Sequence, residues 1–289
     1  MPTPLSQALA TLRRRHGESV IRSGDTLSGV EAWPTGLPIL DHRLTPGGLP
    51  VGRVSLLAAG ASGTSGRLTL LQALSAAASR ERTAVYVDLV GSLDPGFLAD
   101  LGADLTALLV VRPPSGGWEE GLAMARSLVA AGAPWLAVAL PAADPSSARG
   151  HAAVWPETGA GGARPAGGVR PPSGAGWEHR LTTLVESVSA RRAVCLIAAA
   201  APLPPALGYA ASLTLECAAD GWQEAHGDVL GLRTRLTVVK SKVSAPGEQA
   251  TLLLRYPRPF AAAEAVGRPV VVDLPAVGEA AVVSVAAAG

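Results

Sequence analysis

Short apolar runs alternate with helical patterns along the first half of the chain. The runs at 53–58, 83–89, 107–111 and 135–140 are apolar on both faces, which is typical of buried strands. Patterns with helical spacing separate them, at 67–79, 95–101 and 117–131. Buried strands that alternate with helices predict an α/β fold with a mostly parallel central sheet flanked by helices.

The alternation is interrupted at 144–176, a segment rich in glycine and proline that contains Trp155 and three arginines. Such a composition buries little apolar surface, so we expect a long flexible loop there. A helix at 177–191 and strands at 193–199, 213–217, 232–239 and 250–256 follow, the last two antiparallel. We therefore divide the chain into an N-terminal element (1–33), a core (34–260) and an Ala/Val-rich tail (261–289).

The N-terminal element begins with a helix. Thr3 before Pro4 is a favourable helix start, and Leu5, Leu9 and Leu12 then share one face. The helix is too short to form a domain, so we expect this apolar face to dock on another surface, in this chain or in a partner.

Composition excludes several classes of protein. The 289 residues carry a formal net charge of +1, which argues against a constitutively basic nucleic-acid binder. The two cysteines lack disulfide or zinc-ligand spacing, which fits a reducing compartment. No signal peptide is recognisable, and prolines interrupt the long uncharged stretch at 193–215, so we expect a soluble, cytoplasmic protein without membrane contacts.

The turn at 58–68 lies between a strand and a helix, the usual setting for phosphate binding. A working phosphate loop reads GxxxxGK[ST], with a lysine for the outer phosphates and a hydroxyl for magnesium. When Gly66 is aligned with the second glycine of this motif, the position of the first glycine is occupied by Ala61. The lysine position is occupied by Arg67, and the hydroxyl position by Leu68. The residues thus favour a structural turn over an active NTPase, and we expect no bound cofactor or metal.

Four segments in collinear order, 8–25, 34–57, 86–95 and 232–249, resemble the bacterial recombinase RecA. The resemblance covers about residues 5–260, apart from the 144–176 loop. It implies a RecA-like P-loop NTPase fold with a small N-terminal helix-strand element. RecA's separate C-terminal domain is expected to be missing or reduced to the tail.

The departures from RecA lie where its chemistry would be. The family's catalytic glutamate corresponds to Val90, and the aspartate of its Walker B strand corresponds to Leu140. The glutamine with which the family senses the γ-phosphate corresponds to an alanine within 198–201. Loss of these groups together implies a protein without ATP hydrolysis. Asp94, Phe97 and Tyr256 match positions that hold the adenine in RecA, so residual nucleotide binding stays open, as does ordinary packing.

Other matches point to protein contacts. Lys240 and Lys242 are the only lysines of the chain, and the matching RecA lysines reach the ATP of the neighbouring subunit. Tyr209 matches an aromatic residue at RecA's subunit contact, and the N-terminal helix matches the element that docks on an adjacent protomer. We predict partner contacts through these residues.

The sequence therefore resembles an inactive RecA relative, most like the ImuA family of RecA pseudo-paralogues. That likeness implies a role in the SOS response to DNA damage and in translesion mutagenesis, with RecA, an ImuB-type polymerase subunit or both as partners. Two alternatives stay open. One is an accessory protein that binds single-stranded DNA through Arg149, Arg164 and Arg170 of the loop; the other is a weak ATP-binding RecA paralogue.

Overall fold

The computed structural model describes residues 4–16, 31–45, 47–60, 65–114, 117–141, 175–201, 203–225, 228–242, 246–255, 271–273 and 280–283. The chain divides into two compact units, Met1–Glu31 and Ala32–Gly289. This division falls two residues before the boundary drawn from the sequence, because Ala32 and Trp33 form a strand that pairs within the second unit.

The first unit contains helix α1 (Pro4–His16), in the place where a helix was expected. Leu9 is half-buried and Leu12 is 45% exposed. The side chain of Leu5 lies outside the described residues.

In the second unit, the described strands form a small ribbon and one large sheet. The ribbon pairs β1 (Ala32–Trp33) with β2 (Leu49–Pro50). The large sheet has the order β11-β12-β10-β9-β8-β3-β7-β6-β4-β5. Its strands are β3 (Arg53–Ala59), β4 (Ala84–Asp88), β5 (Leu108–Val111), β6 (Trp135–Ala139), β7 (Val194–Ala199), β8 (Leu213–Ala225), β9 (Asp228–Ser241), β10 (Gln249–Arg255), β11 (Val271–Asp273) and β12 (Ala280–Val283).

The sheet is mostly parallel. All neighbours from β8 to β5 run parallel, whereas β9 is antiparallel to both β8 and β10. This arrangement confirms the predicted α/β fold and the predicted antiparallel pairing of the strands around residues 232–239 and 250–256. Two short strands, β11 and β12, come from the tail, and β12 pairs with β10.

Helices cover both faces of the sheet. Helices α2 (Arg67–Ser79) and α3 (Pro95–Asp100) and a π-helical segment (Ile39–Leu44) pack on one face and form the first core. Helices α4 (Trp118–Ala130), α5 (Ala175–Arg191) and α6 (Pro205–Ala210) pack on the other face and form the second core. Because β3, β4, β6 and β7 are buried on both faces, they read as continuous apolar runs in the sequence.

Some elements differ from the sequence prediction. The strand expected at 213–217 continues to Ala225, and β9 begins at Asp228, so the two form a long hairpin. Helix α5 begins at Ala175, two residues before the predicted start. Most of the flexible loop predicted at 144–176 lies outside the described residues, which end at 141 and resume at 175. None of the helices in the described ranges is long and apolar enough to span a bilayer.

The parallel strands give the sheet two distinct edges. Ala59, Asp88, Ala139 and Ala199 end β3, β4, β6 and β7 at the carboxyl edge. The opposite, amino edge carries the start of β3 and the start of β8, where Leu213 pairs with Ser55 on one side and with Ser241 on the other.

Candidate functional site

The turn between β3 and α2 lies at the carboxyl edge. The Gly60 N–H donates to the Cys217 carbonyl at 2.8 Å, which ties the start of the turn to β8. Residues 61–64, including Ala61, lie outside the described residues. Gly66 precedes α2 with φ +69°, and side chains of β9 and β10 lie against it. The end of the turn therefore packs against side chains of β9 and β10.

Arg67 occupies the position of the phosphate-loop lysine. Its side chain is half-buried, and one guanidinium nitrogen, Nη1, donates to Ser65 Oγ at 3.3 Å. Burial lowers the pKa of Arg67, and interaction with the nearby Cys217 thiol opposes that effect. Its Nε atom is buried and has no hydrogen-bond partner within the described residues. The Arg67 guanidinium therefore packs within the protein and donates a hydrogen bond to Ser65.

Leu68 occupies the position of the magnesium-binding hydroxyl. It is half-buried and packs against the first core. An isobutyl group offers no oxygen ligand to a hard cation such as Mg²⁺, so this position contributes packing alone.

Leu140, the residue predicted to match the Walker B aspartate, directly follows β6. It is 0% exposed and belongs to the second core, together with Trp118 and Trp177. The two tryptophan rings meet edge to face, with centroids 5.5 Å apart. An apolar cluster therefore surrounds Leu140 at the carboxyl end of β6.

Val90 stands in a turn that Asp88 organises. The Asp88 carboxylate accepts the N–H groups of Gly91 at 2.8 Å, Ser92 at 3.1 Å and Leu93 at 3.2 Å. Arg112 Nε donates to the same carboxylate at 3.2 Å. This fixed turn leaves Val90, the residue predicted to match a catalytic glutamate, 40% exposed at the carboxyl edge. An isopropyl group cannot accept a proton from water.

These residues do not fit the magnesium nucleotide that a phosphate loop serves. Leu68, Val90 and Leu140 supply neither a metal ligand nor a base. In the described part of the chain, no three His, Cys, Asp or Glu side chains cluster as a metal site would require. No catalytic step can be derived from this arrangement.

Asp94 and Phe97, two of the three residues predicted to hold an adenine, lie at the first turn of helix α3. The Asp94 carboxylate accepts the N–H groups of Gly96 at 2.8 Å and Phe97 at 3.3 Å, and so caps the helix. The Phe97 side chain is half-buried against the first core. Tyr256, the third member, lies outside the described residues.

Three of the predicted partner-binding residues lie together at the amino edge. Lys240 Nζ donates to the Gly208 carbonyl at 2.7 Å and to the Tyr209 carbonyl at 3.4 Å. The Tyr209 side chain is 81% exposed, and Lys242 is exposed two residues beyond Lys240. We call Tyr209, Lys240 and Lys242 the amino-edge face. The sequence suggested these residues but gave no sign that Lys240 bonds to α6, because that contact joins residues 32 positions apart.

The other predicted contact residues stay predictions. Leu9 and Leu12 lie on α1 of the first unit. Arg149, Arg164 and Arg170 lie in the segment outside the description.

Fold and turn together define an α/β protein whose mostly parallel sheet carries a strand–turn–helix unit of the kind that binds phosphate in other proteins. A family model described as RecA N-terminal domain matches residues 3–144. Protein RecA of Thioalkalivibrio sulfidiphilus (strain HL-EbGR7) is 33% identical over 273 residues, which are 87% of this chain and 75% of that protein. Protein RecA of Kineococcus radiotolerans is 32% identical over 274 residues, 89% of this chain and 76% of that protein. Protein RecA of Xylella fastidiosa (strain M23) is 40% identical over 131 residues, 44% of this chain and 37% of that protein. The chain therefore belongs to the RecA family.

Proposed function

We propose that this chain is a non-catalytic RecA-family protein of the ImuA type, which acts through protein contacts in the SOS response and in translesion mutagenesis. Family membership connects it to DNA recombination and repair. One observation carries the non-catalytic part. Leu68, Val90 and Leu140 match the RecA positions of the magnesium-binding hydroxyl, the catalytic glutamate and the Walker B aspartate. Leu68 packs against the first core, Val90 is 40% exposed and Leu140 is fully buried, and none of the three side chains can bind a metal ion or accept a proton.

The proposed action is asymmetric, because the two edges of the sheet differ. The amino-edge face presents a cation and an exposed aromatic ring, and aromatic residues are enriched among those that contribute most to protein interfaces. Because the matching RecA lysines reach the ATP of the neighbouring subunit, we place this face against the nucleotide side of a RecA protomer. The carboxyl edge offers the next subunit no nucleotide chemistry. Such a protein caps or modulates the end of a RecA filament instead of extending it. An ImuB-type polymerase subunit is the second partner in this proposal.

The test is direct binding. RecA filaments on single-stranded DNA, held with a non-hydrolysable ATP analogue, are immobilised and exposed to the chain, and an ImuB-type subunit is assayed in parallel. We expect saturable binding to RecA that weakens at least tenfold with Lys240→Ala plus Lys242→Ala. The matched control is Arg126→Ala plus Arg191→Ala, which removes two exposed cations from α4 and α5. Equal binding by both double variants would contradict the proposed face.

The same preparation tests the absence of catalysis. Magnesium-dependent ATP turnover by the chain alone is expected to equal that of a buffer blank. Turnover above background that disappears with Arg67→Ala would instead favour the weak ATPase alternative.

A further inference from the structure

We propose that the two lysines of the amino-edge face have different roles: Lys240 is a positioning residue that holds α6 and Tyr209, whereas Lys242 and Tyr209 contact the partner. The division of roles comes from the structure of this chain. The identity of the partner, a RecA protomer, rests on the proposed function.

The ammonium of Lys240 is already used within the chain. It donates to the carbonyl groups of Gly208 and Tyr209, at the last turn of α6. These carbonyls lack partners within their helix and carry partial negative charge, so a cation there is favourable. Burial lowers the pKa of Lys240, and the nearby charge of Lys242 lowers it further. The Lys240 side chain is therefore committed to α6.

Helix α6 depends on such a contact. It has only six residues, follows Pro204 and contains Gly208, which has open space where a Cβ would lie. A helix of this length is not stable by itself, and an internal glycine weakens it further. Leu207 anchors one side in the second core. Lys240 fixes the opposite end of the helix, and with it the direction of the exposed Tyr209 ring.

Lys242 is placed differently. Its backbone N–H donates to the Ser212 carbonyl at 2.9 Å, which fixes the strand end. Its side chain is exposed and makes no ion pair or hydrogen bond within the described residues. This ammonium can meet an anion on the RecA protomer, either a phosphate of its bound nucleotide or an acidic side chain.

Binding kinetics separate the two roles. A cation that meets a partner's anion raises the association rate and makes it sensitive to salt, whereas a positioning residue affects mainly dissociation. We expect Lys242→Met to lower the association rate with RecA filaments and to flatten its salt dependence. Lys240→Met is expected to leave the salt dependence unchanged and to raise the dissociation rate about fivefold, with recovery in Lys240→Arg. An equal loss of salt dependence in both methionine variants would overturn the inference.

Filaments loaded with ADP or with a non-hydrolysable ATP analogue distinguish the two sources of the anion. If the γ-phosphate is the contact, the Lys242→Met defect disappears with ADP. If an acidic side chain is the contact, the defect is the same with both nucleotides. Either outcome agrees with a contact by Lys242.

The isolated chain tests Lys240 without any partner. The sequence has three tyrosines, so 3-fluorotyrosine labelling gives three ¹⁹F resonances, and Tyr209→Phe assigns the one of interest. We expect Lys240→Met to shift and broaden the Tyr209 resonance, Lys240→Arg to restore it, and Lys242→Met to leave it unchanged. An unchanged resonance in Lys240→Met would overturn the positioning role even if RecA binding is found. If no RecA binding is found but the resonance shifts, the partner assignment fails and the positioning role stands.

Discussion

At the scale of single residues, Gly66 shows how side chains of the first core contact the turn between β3 and α2. Its φ of +69° is a conformation that side chains with a Cβ rarely adopt. A Cβ atom there would also lie 2.5 Å from Leu254 Cδ1 and 2.5 Å from Thr234 Oγ1. Both backbone conformation and space therefore require glycine, and the requirement comes from β9 and β10 rather than from a phosphate.

Gly66→Ala is expected to destabilise the protein by about 2–4 kcal/mol, as the sum of backbone strain and overpacking. The control is Gly36→Ala, because Gly36 has a similar φ of +76° but no atom within 4 Å of the added Cβ. That variant adds strain alone, about 1–2 kcal/mol. Urea unfolding measures both values. If the two variants lose the same stability, the contacts of Gly66 with Leu254 and Thr234 have no energetic weight.

At the scale of elements, β7 and β8 flank β3 and carry one cysteine each, on opposite faces of the sheet. Cys195 belongs to the second core and Cys217 to the first, and both are fully buried. Burial raises the pKa of each thiol to about 12, although Arg67 partly opposes this effect at Cys217. Strands covered by helices on both sides thus keep both thiols protonated.

This burial predicts a pH dependence of stability. An unfolded thiol has a pKa of about 8.5, so between about pH 8.5 and 12 the unfolded chain has lost protons that the folded chain keeps. The free energy of unfolding then falls as pH rises, by about 1.4 kcal/mol per pH unit for each thiol. Below that window both states hold the proton and the effect vanishes.

The variant Cys195→Ala tests this predicted pH dependence of stability. Urea unfolding at pH 8, 9 and 10 should give a shallower decline than in the wild type, by about 1.4 kcal/mol per pH unit at the upper end. Parallel declines in the two proteins would show that the Cys195 thiol does not titrate differently in the two states.

Prediction from sequence succeeded where an element's cause is local. Helix α2 has the predicted bounds, because its apolar residues and the preceding glycine mark it in the sequence. The π-helical segment at Ile39–Leu44 was not predicted. Asp41 accepts from Thr35 and Gly36, and Leu40 and Leu44 are buried in the first core. Its form therefore depends on partners outside the segment. The bond of Lys240 to α6 was missed for the same reason, since only the folded sheet brings β9 next to that helix.

At the scale of the whole molecule, both cores reach the carboxyl edge at positions predicted to match the polar groups of a RecA-type site. Leu68 belongs to the periphery of the first core and Leu140 to the interior of the second. These two positions are thus part of the packing that stabilises the fold. Restoring RecA-type chemistry there requires polar groups in apolar surroundings, with a cost in stability.

The variant Leu140→Asp measures that cost as a change in the free energy of unfolding. A carboxylate introduced beside Trp118 and Trp177 is buried without a partner, so we expect a loss of at least about 3 kcal/mol in the free energy of unfolding at pH 8. Leu140→Asn has nearly the same shape without the charge, and the difference between the two variants isolates the ionisation penalty.

The sign of the pH dependence distinguishes this penalty from a packing defect. Burial raises the pKa of an introduced carboxyl, so the folded protein holds a proton that the unfolded chain releases above its pKa of about 3.9. The difference between Leu140→Asp and Leu140→Asn should therefore grow from pH 5 to pH 8, as urea unfolding can measure. A constant difference would mean that the carboxylate reaches water at the carboxyl edge. In that case the apolar cluster around Leu140 would be no barrier to a metal ligand, and the physical argument against nucleotide chemistry would be reduced to Leu68 and Val90.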